Sequence, residues 1–145
     1  MDSKLFLATT DAEITACFDA FKVLRPHLEL DGFLPQVRRQ QLQSYQILAL
    51  ETEDRIASVA GFRFGEFLAW GRVLYIDDLS TLPEYREQGF GGLIMDWLIE
   101  RAKADGCRAL HLDSGYARHT AHRLYLNKGL QMTSHHFALV FGDGT

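Results

Sequence analysis

Two short stretches carry the residue types from which chemistry can be built. The first is Arg86-Glu87-Gln88-Gly89-Phe90-Gly91-Gly92. A run of strand character, residues 73–82, precedes it; behind it Leu93, Ile94, Trp97 and Leu98 recur at helical spacing. A strand, a glycine turn and a helix start aim backbone N–H groups outward, which favours an anion, phosphate oxygens above all. Glycine removes the Cβ that would hold the anion at a distance. The order of glycines is not that of a dinucleotide fingerprint, and no Gly-Lys-Ser/Thr follows to make a Walker A loop. By itself the turn also fits a tight connection that binds nothing. The second stretch is the carboxylate pair Asp77-Asp78 in the preceding strand. Neighbours in a regular strand project to opposite sides, so Asp77 is expected to share a face with Leu79 and Thr81. Repulsion between the two raises the pKa of one of them, which suits a base near neutral pH.

The elements that must position these residues follow from pattern. Residues 4–10 read as a strand. Thr10 or Asp11 caps a helix on which Ile14, Cys17, Phe18, Phe21 and Leu24 form one apolar face, and Pro26 stops it. A second helix is expected over residues 31–43, with Gly32 and Pro35 near its start. Residues 45–51 and 56–64 read as an antiparallel hairpin. Residues 89–104 form a helix ending at Gly106; 108–114 a strand; 118–128 a helix ending at Gly129; and 132–141 one or two strands. The strand–helix–strand of 73–114 implies parallel strands, so the sheet is mixed, α/β, with helices on both faces.

The chain has 145 residues, 47% of them hydrophobic and 23% charged, which suits one domain, 1–145, with a single core. A net charge of −4 argues against a general nucleic-acid binder. Cys17 and Cys107 form no C-x-x-C pair, hence neither a disulfide framework nor a zinc site. No signal peptide and no membrane-spanning run is read, so a cytoplasmic protein is expected. His119 and His122 lie one helical turn apart, but no carboxylate spacing completes a metal set, and no metal is expected.

With these residues in view, the chain resembles the GNAT superfamily of N-acetyltransferases. Arg86-x-x-Gly89-x-Gly91 matches that family's R/Q-x-x-G-x-G/A signature, and residues 76–85 resemble the strand and linker that lead into it. Independently, Ala121-x-x-Leu124-Tyr125-x-x-x-Gly129-Leu130 is similar to the family's A-x-x-L/F-Y-x-x-x-G-F helix end. The resemblance implies a mixed sheet of about six or seven strands, two of them parallel and splayed, flanked by about four helices. It implies acetyl-CoA as donor. The backbone of Arg86, Glu87, Gln88, Gly89, Phe90, Gly91 and Gly92 would hold its pyrophosphate, and that of Leu79, Ser80 and Thr81 its pantetheine arm, much as an added strand would. Many members have Asn where this chain has Arg118, which instead would reach a phosphate of the donor. A homodimer is implied by analogy alone.

Acetyl transfer to nitrogen needs a neutral amine, and a lysine-type amine has a pKa of about 10.4, so a base must help. Asp77 holds the position of a base used in similar polyamine-type enzymes; Asp78 is the second candidate and an acceptor contact. Tyr125 holds the position of the family's general acid, which returns a proton to the leaving thiolate. Asp113, at a strand end, is a candidate to hold a cationic acceptor. The reading is thus an N-acetyltransferase acting on a primary amine, small molecule or peptide, by direct attack in a ternary complex. A protein lysine or N-terminal acetyltransferase, and an acyl-CoA-binding module without turnover, stay open beside it.

Overall fold

The computed structural model describes residues 2–115 and 118–142, and the backbone alone of His119. The chain divides into two compact units, Met1–Leu112 and Asp113–Thr145. In the first, the elements run β1 (Ser3–Ala8), α1 (Asp11–Ala16), α2 (Phe18–Leu24), α3 (Leu30–Gln41), β2 (Gln46–Thr52), β3 (Arg55–Phe67), β4 (Gly71–Thr81), a 3₁₀ turn (Pro83–Tyr85), α4 (Phe90–Ala104) and β5 (Ala109–Leu112). The second holds α5 (His119–Asn127).

The five strands lie in the order β1-β2-β3-β4-β5. The first four pair antiparallel, and β4 pairs parallel with β5, so the sheet is mixed as expected. Helices cover both faces. Phe62 of β3 meets Trp97 of α4 edge-on, with ring centroids 6.1 Å apart. Its neighbour Arg63 points the other way, over the Tyr45 ring, toward α2 and α3. Burial on both faces explains why Ile47–Leu50 and Ile56–Phe62 are buried almost without a break. Ile94, Met95 and Leu98 of α4 close the core on one side, and Ile14, Phe21 and Phe33 on the other. Among the described residues no helix is long and apolar enough to cross a membrane.

Three expectations change. The helix expected over residues 11–24 is two helices, broken at Cys17. Among the described residues the sheet has five strands rather than six or seven, and the two units together hold five α-helices rather than about four. No described residue of 131–141 is in a strand. The alternation that announced one is real, yet Phe137, Leu139 and Phe141 are all exposed. A period of two makes a strand only where a second backbone completes the ladder, and among the described residues this segment has none.

Candidate functional site

The site is built around β4. Its first half, Val73–Ile76, pairs with β3 on one side and with β5 on the other, Val73 opposite Ala109 and Ile76 opposite Leu112. There β5 stops, while β4 runs on to Thr81 against β3 alone. Beyond Ile76 the backbone of β4 has no β5 partner among the described residues. Leu79 and Ser80 are buried. The Thr81 hydroxyl meets that of Ser58 at 2.8 Å, and Ser58 Oγ donates to the Ser80 carbonyl at 3.1 Å.

At the point where the pairing changes, β4 carries an extra residue. Gly61 pairs with Asp78 and Phe62 with Ile76, which leaves Asp77 as a bulge. The bulge overturns the expectation that the two aspartates face opposite sides: both carboxylates enter one polar cluster on the α2–α3 face. Arg63 grips Asp77 with two hydrogen bonds, Nε to Oδ1 at 3.0 Å and Nη2 to Oδ2. Arg25 Nε donates to Asp78 Oδ1 at 3.0 Å, and its Nη2 to the Asp77 carbonyl at 3.1 Å. The Tyr45 hydroxyl donates to Asp78 Oδ2 at 2.9 Å while its ring lies 5.3 Å from the Arg63 guanidinium.

Burial raises the Asp77 carboxyl above the usual carboxylate range; the Arg63 guanidinium opposes that, and Asp78 adds to it. Burial, with Asp78 second, holds the Tyr45 phenol well above its ordinary pKa, so it donates to Asp78 without ionising. Sequence reasoning missed Tyr45, Arg63 and Arg25. One signal was available. Gly61 sits inside a strand, where glycine marks a bulge or a close approach of another group. It marks both here: a Cβ at position 61 would stand 1.8 Å from the Tyr45 hydroxyl.

The glycine turn follows β4 directly. Arg86 Nε donates to the Thr81 carbonyl at 3.3 Å, tying the turn back to the strand end. Glu87 has φ +64° and Gly89 φ +81°, both left-handed, and Gly89 is the N-cap of α4. No side chain caps that helix, and its first turn holds no acidic residue, so its N–H dipoles are left uncompensated. A Cβ on Gly89 would meet nothing within 4 Å. An open, positively polarised backbone of this kind fits the pyrophosphate of a coenzyme A donor.

In the second unit, Tyr125 is buried, and burial raises its phenol above the ordinary range while the Arg118 guanidinium draws it back down. Arg118 stands at the N-cap of α5 and faces the phenol. Asp113 Oδ2 lies 3.6 Å from His136 Nδ1. Among the described residues no three His, Cys, Asp or Glu side chains gather where a metal could sit.

The chain is 28% identical over 121 residues to the uncharacterized N-acetyltransferase YhdJ of Bacillus subtilis, spanning 83% of this chain and 85% of that one. It is 32% identical to the thialysine N-epsilon-acetyltransferase of Bos taurus over 104 residues, 70% of this chain but only 61% of that enzyme. The aminoglycoside N-acetyltransferase AAC(6')-Iy, solved with a bisubstrate analogue of coenzyme A, superposes with a TM-score of 0.83 at 12% identity, covering 97% of this chain and 98% of that one. The profile of the acetyltransferase (GNAT) family matches residues 9–130, through the glycine turn and on past the helix that carries Tyr125. A fold, a turn and a helix end thus converge on one conclusion: the chain belongs to the GNAT family and is an N-acetyltransferase.

Proposed function

We propose that the chain, acting as one acetyltransferase domain, moves an acetyl group from acetyl-CoA to a primary amine by direct attack in a ternary complex. The observation that carries this reading is the sequence along β4 of a half-buried carboxylate, a backbone edge without β5 and, past a short turn, an uncapped helix start. The thialysine enzyme similar to this chain acts, by its name, on an ε-amine, and AAC(6')-Iy is known in complex with coenzyme A. Both fit an amine acceptor and a CoA donor.

Each residue then has a task. The backbone from Arg86 to Gly92 holds the donor's pyrophosphate, and the free edge at Leu79–Thr81 holds its arm. A backbone N–H there, that of Leu79, faces the oxygen on which charge develops. Asp77 takes the proton of the attacking amine. Burial makes it a stronger base than an exposed aspartate, and Arg63 keeps it ionised while waiting. Tyr125 returns a proton to the thiolate. Its raised pKa keeps it protonated until then, and Arg118 stabilises the phenolate that results.

The test is thiol release from acetyl-CoA across a panel of primary amines. Wild type should release thiol with at least one amine, and Tyr125→Phe should lower kcat by about a hundredfold or more, the usual worth of a positioned acid. Equal turnover in the variant removes Tyr125 from the acid role. No release with any amine of the panel removes the primary-amine acceptor from the reading.

A further inference from the structure

A cleft of about 140 Å³ opens between α2, α3 and β4. Phe21, Phe33, Val37 and Tyr45 give it apolar walls; Asp78 lies within it, and Arg25, His27, Gln36 and Gln40 add polar groups. It is smaller than the roughly 300–1,000 Å³ of pockets that hold drug-sized ligands, so it suits a molecule of amino-acid size.

The hydrogen-bonding capacity of its lining decides what that molecule carries. Asp78 is the one carboxylate there, and it is already engaged: Oδ1 accepts from Arg25 and Oδ2 from Tyr45. It is not an open anion waiting for a second ammonium. Arg25, by contrast, spends Nε and Nη2 on Asp78 and the Asp77 carbonyl, and its Nη1 has no partner among the described residues. The Arg25 side chain is 45% exposed. His27 stands two residues on and is exposed, and Gln40 accepts from Gln36 at 3.0 Å, which leaves its own amide NH₂ to give. Arg25 Nη1 and the Gln40 amide are thus unspent donors in this cleft, and a guanidinium N–H suits a carboxylate or phosphonate oxygen.

We propose that this cleft receives a small primary amine that also carries an acidic group, with the acid held by Arg25 Nη1 and His27 and the amine directed toward the β4 bulge. The proposal rests on the transferase reading for its chemistry, but on the cleft alone for its binding.

The experiment uses the full chain with four amines of matched length: 4-aminobutyrate, 3-aminopropylphosphonate, butylamine and 1,4-diaminobutane. Acetyl transfer is measured for each, and binding is followed in parallel by saturation-transfer NMR with coenzyme A present. The acidic amines should exceed butylamine and the diamine in kcat/KM by about tenfold or more, the worth of one charge-assisted hydrogen bond. Arg25→Gln should bring that ratio close to one by raising KM for the acidic amines; Arg25→Lys, which keeps the charge but not the guanidinium geometry, should retain part of it. Preference for butylamine or the diamine overturns the assignment and leaves the transferase reading standing. So does a ratio that Arg25→Gln leaves intact. If no amine is acetylated, NMR separates the two claims: acidic amines bound by wild type and lost in Arg25→Gln support the cleft and sink the transferase reading, while no preferential binding overturns the cleft as well.

Discussion

The two halves of β4 are made of the same backbone and put to opposite uses. Val73–Ile76 is laddered on both edges, and Val73 and Leu74 are fully buried. From Asp77 onward β5 no longer accompanies the strand, a bulge interrupts the register, and two carboxylates share one face where a regular strand would have sent them to opposite sides. The first half holds the sheet together. The second gives up one set of ladder bonds and takes on two charges that cost desolvation, offset by Arg63, Arg25 and Tyr45. On the proposed mechanism, stability and reactivity are thus separated along a single strand, a few residues apart.

That separation can be broken by substitution, most forcefully at its centre. Asp77→Asn should lower kcat by about 10²–10⁴-fold, roughly 3–5 kcal/mol of barrier, while thermal unfolding shifts little. An equal loss of melting temperature and rate would mean that the second half is as structural as the first. Because the folded pKa of Asp77 lies above its usual value, activity that depends on Asp77 as base should be absent at low pH and appear as pH rises through that raised value. Removing the opposing guanidinium with Arg63→Gln should move this acid limb of kcat/KM further up. Movement downward would exclude Asp77 as the titrating base. For stability the sign is reversed: a raised carboxyl favours the fold most in acid and loses that contribution as pH rises.

In the first half the roles exchange. Leu74→Ala should cost about 2–5 kcal/mol in denaturant unfolding, with kcat/KM of the remaining folded protein almost unchanged. The smallest effect falls on the turn. Gly89→Ala forces a Cβ into φ +81°, about 1–2 kcal/mol of strain, and should appear chiefly as a raised KM for acetyl-CoA. Thr10→Ala, at the start of α1, is its counterpart. There Thr10 and Glu13 form a complete capping box, so about 1 kcal/mol of stability should go with no change in that KM.

Much of this design was legible in advance, because it is local. The glycine turn, the amphipathic α4 and the spacing around Tyr125 are written within single segments, and the family resemblance rests on them. The bulge was not, since a bulge belongs to two strands at once and shows only as a mismatch between Gly61–Phe62 and Ile76–Asp78. Nor were the partners of the aspartates. Arg25, Tyr45 and Arg63 lie 53, 33 and 14 residues from the carboxylates they serve. The terminal strands failed for a related reason: alternation in residues 132–141 describes one side of a ladder and says nothing of the other. The break at Cys17 has no signal we can identify in the flanking residues.

Arg25 carries a consequence for how such an enzyme can change its diet. Most of the proposed acceptor cleft is drawn from α2, α3 and the loop between them, whereas the carboxylates stand on β4. Substitutions on the helices can therefore explore new acceptors without rewriting the chemistry, in the way a tool takes a new head on an old handle. Arg25 is the exception, for it contacts the acceptor cleft, Asp78 and the Asp77 carbonyl together. A lineage that replaces it alters taste and reactivity in one step. Divergence in this fold should find position 25 the hardest of the rim to exchange, and the others open to drift.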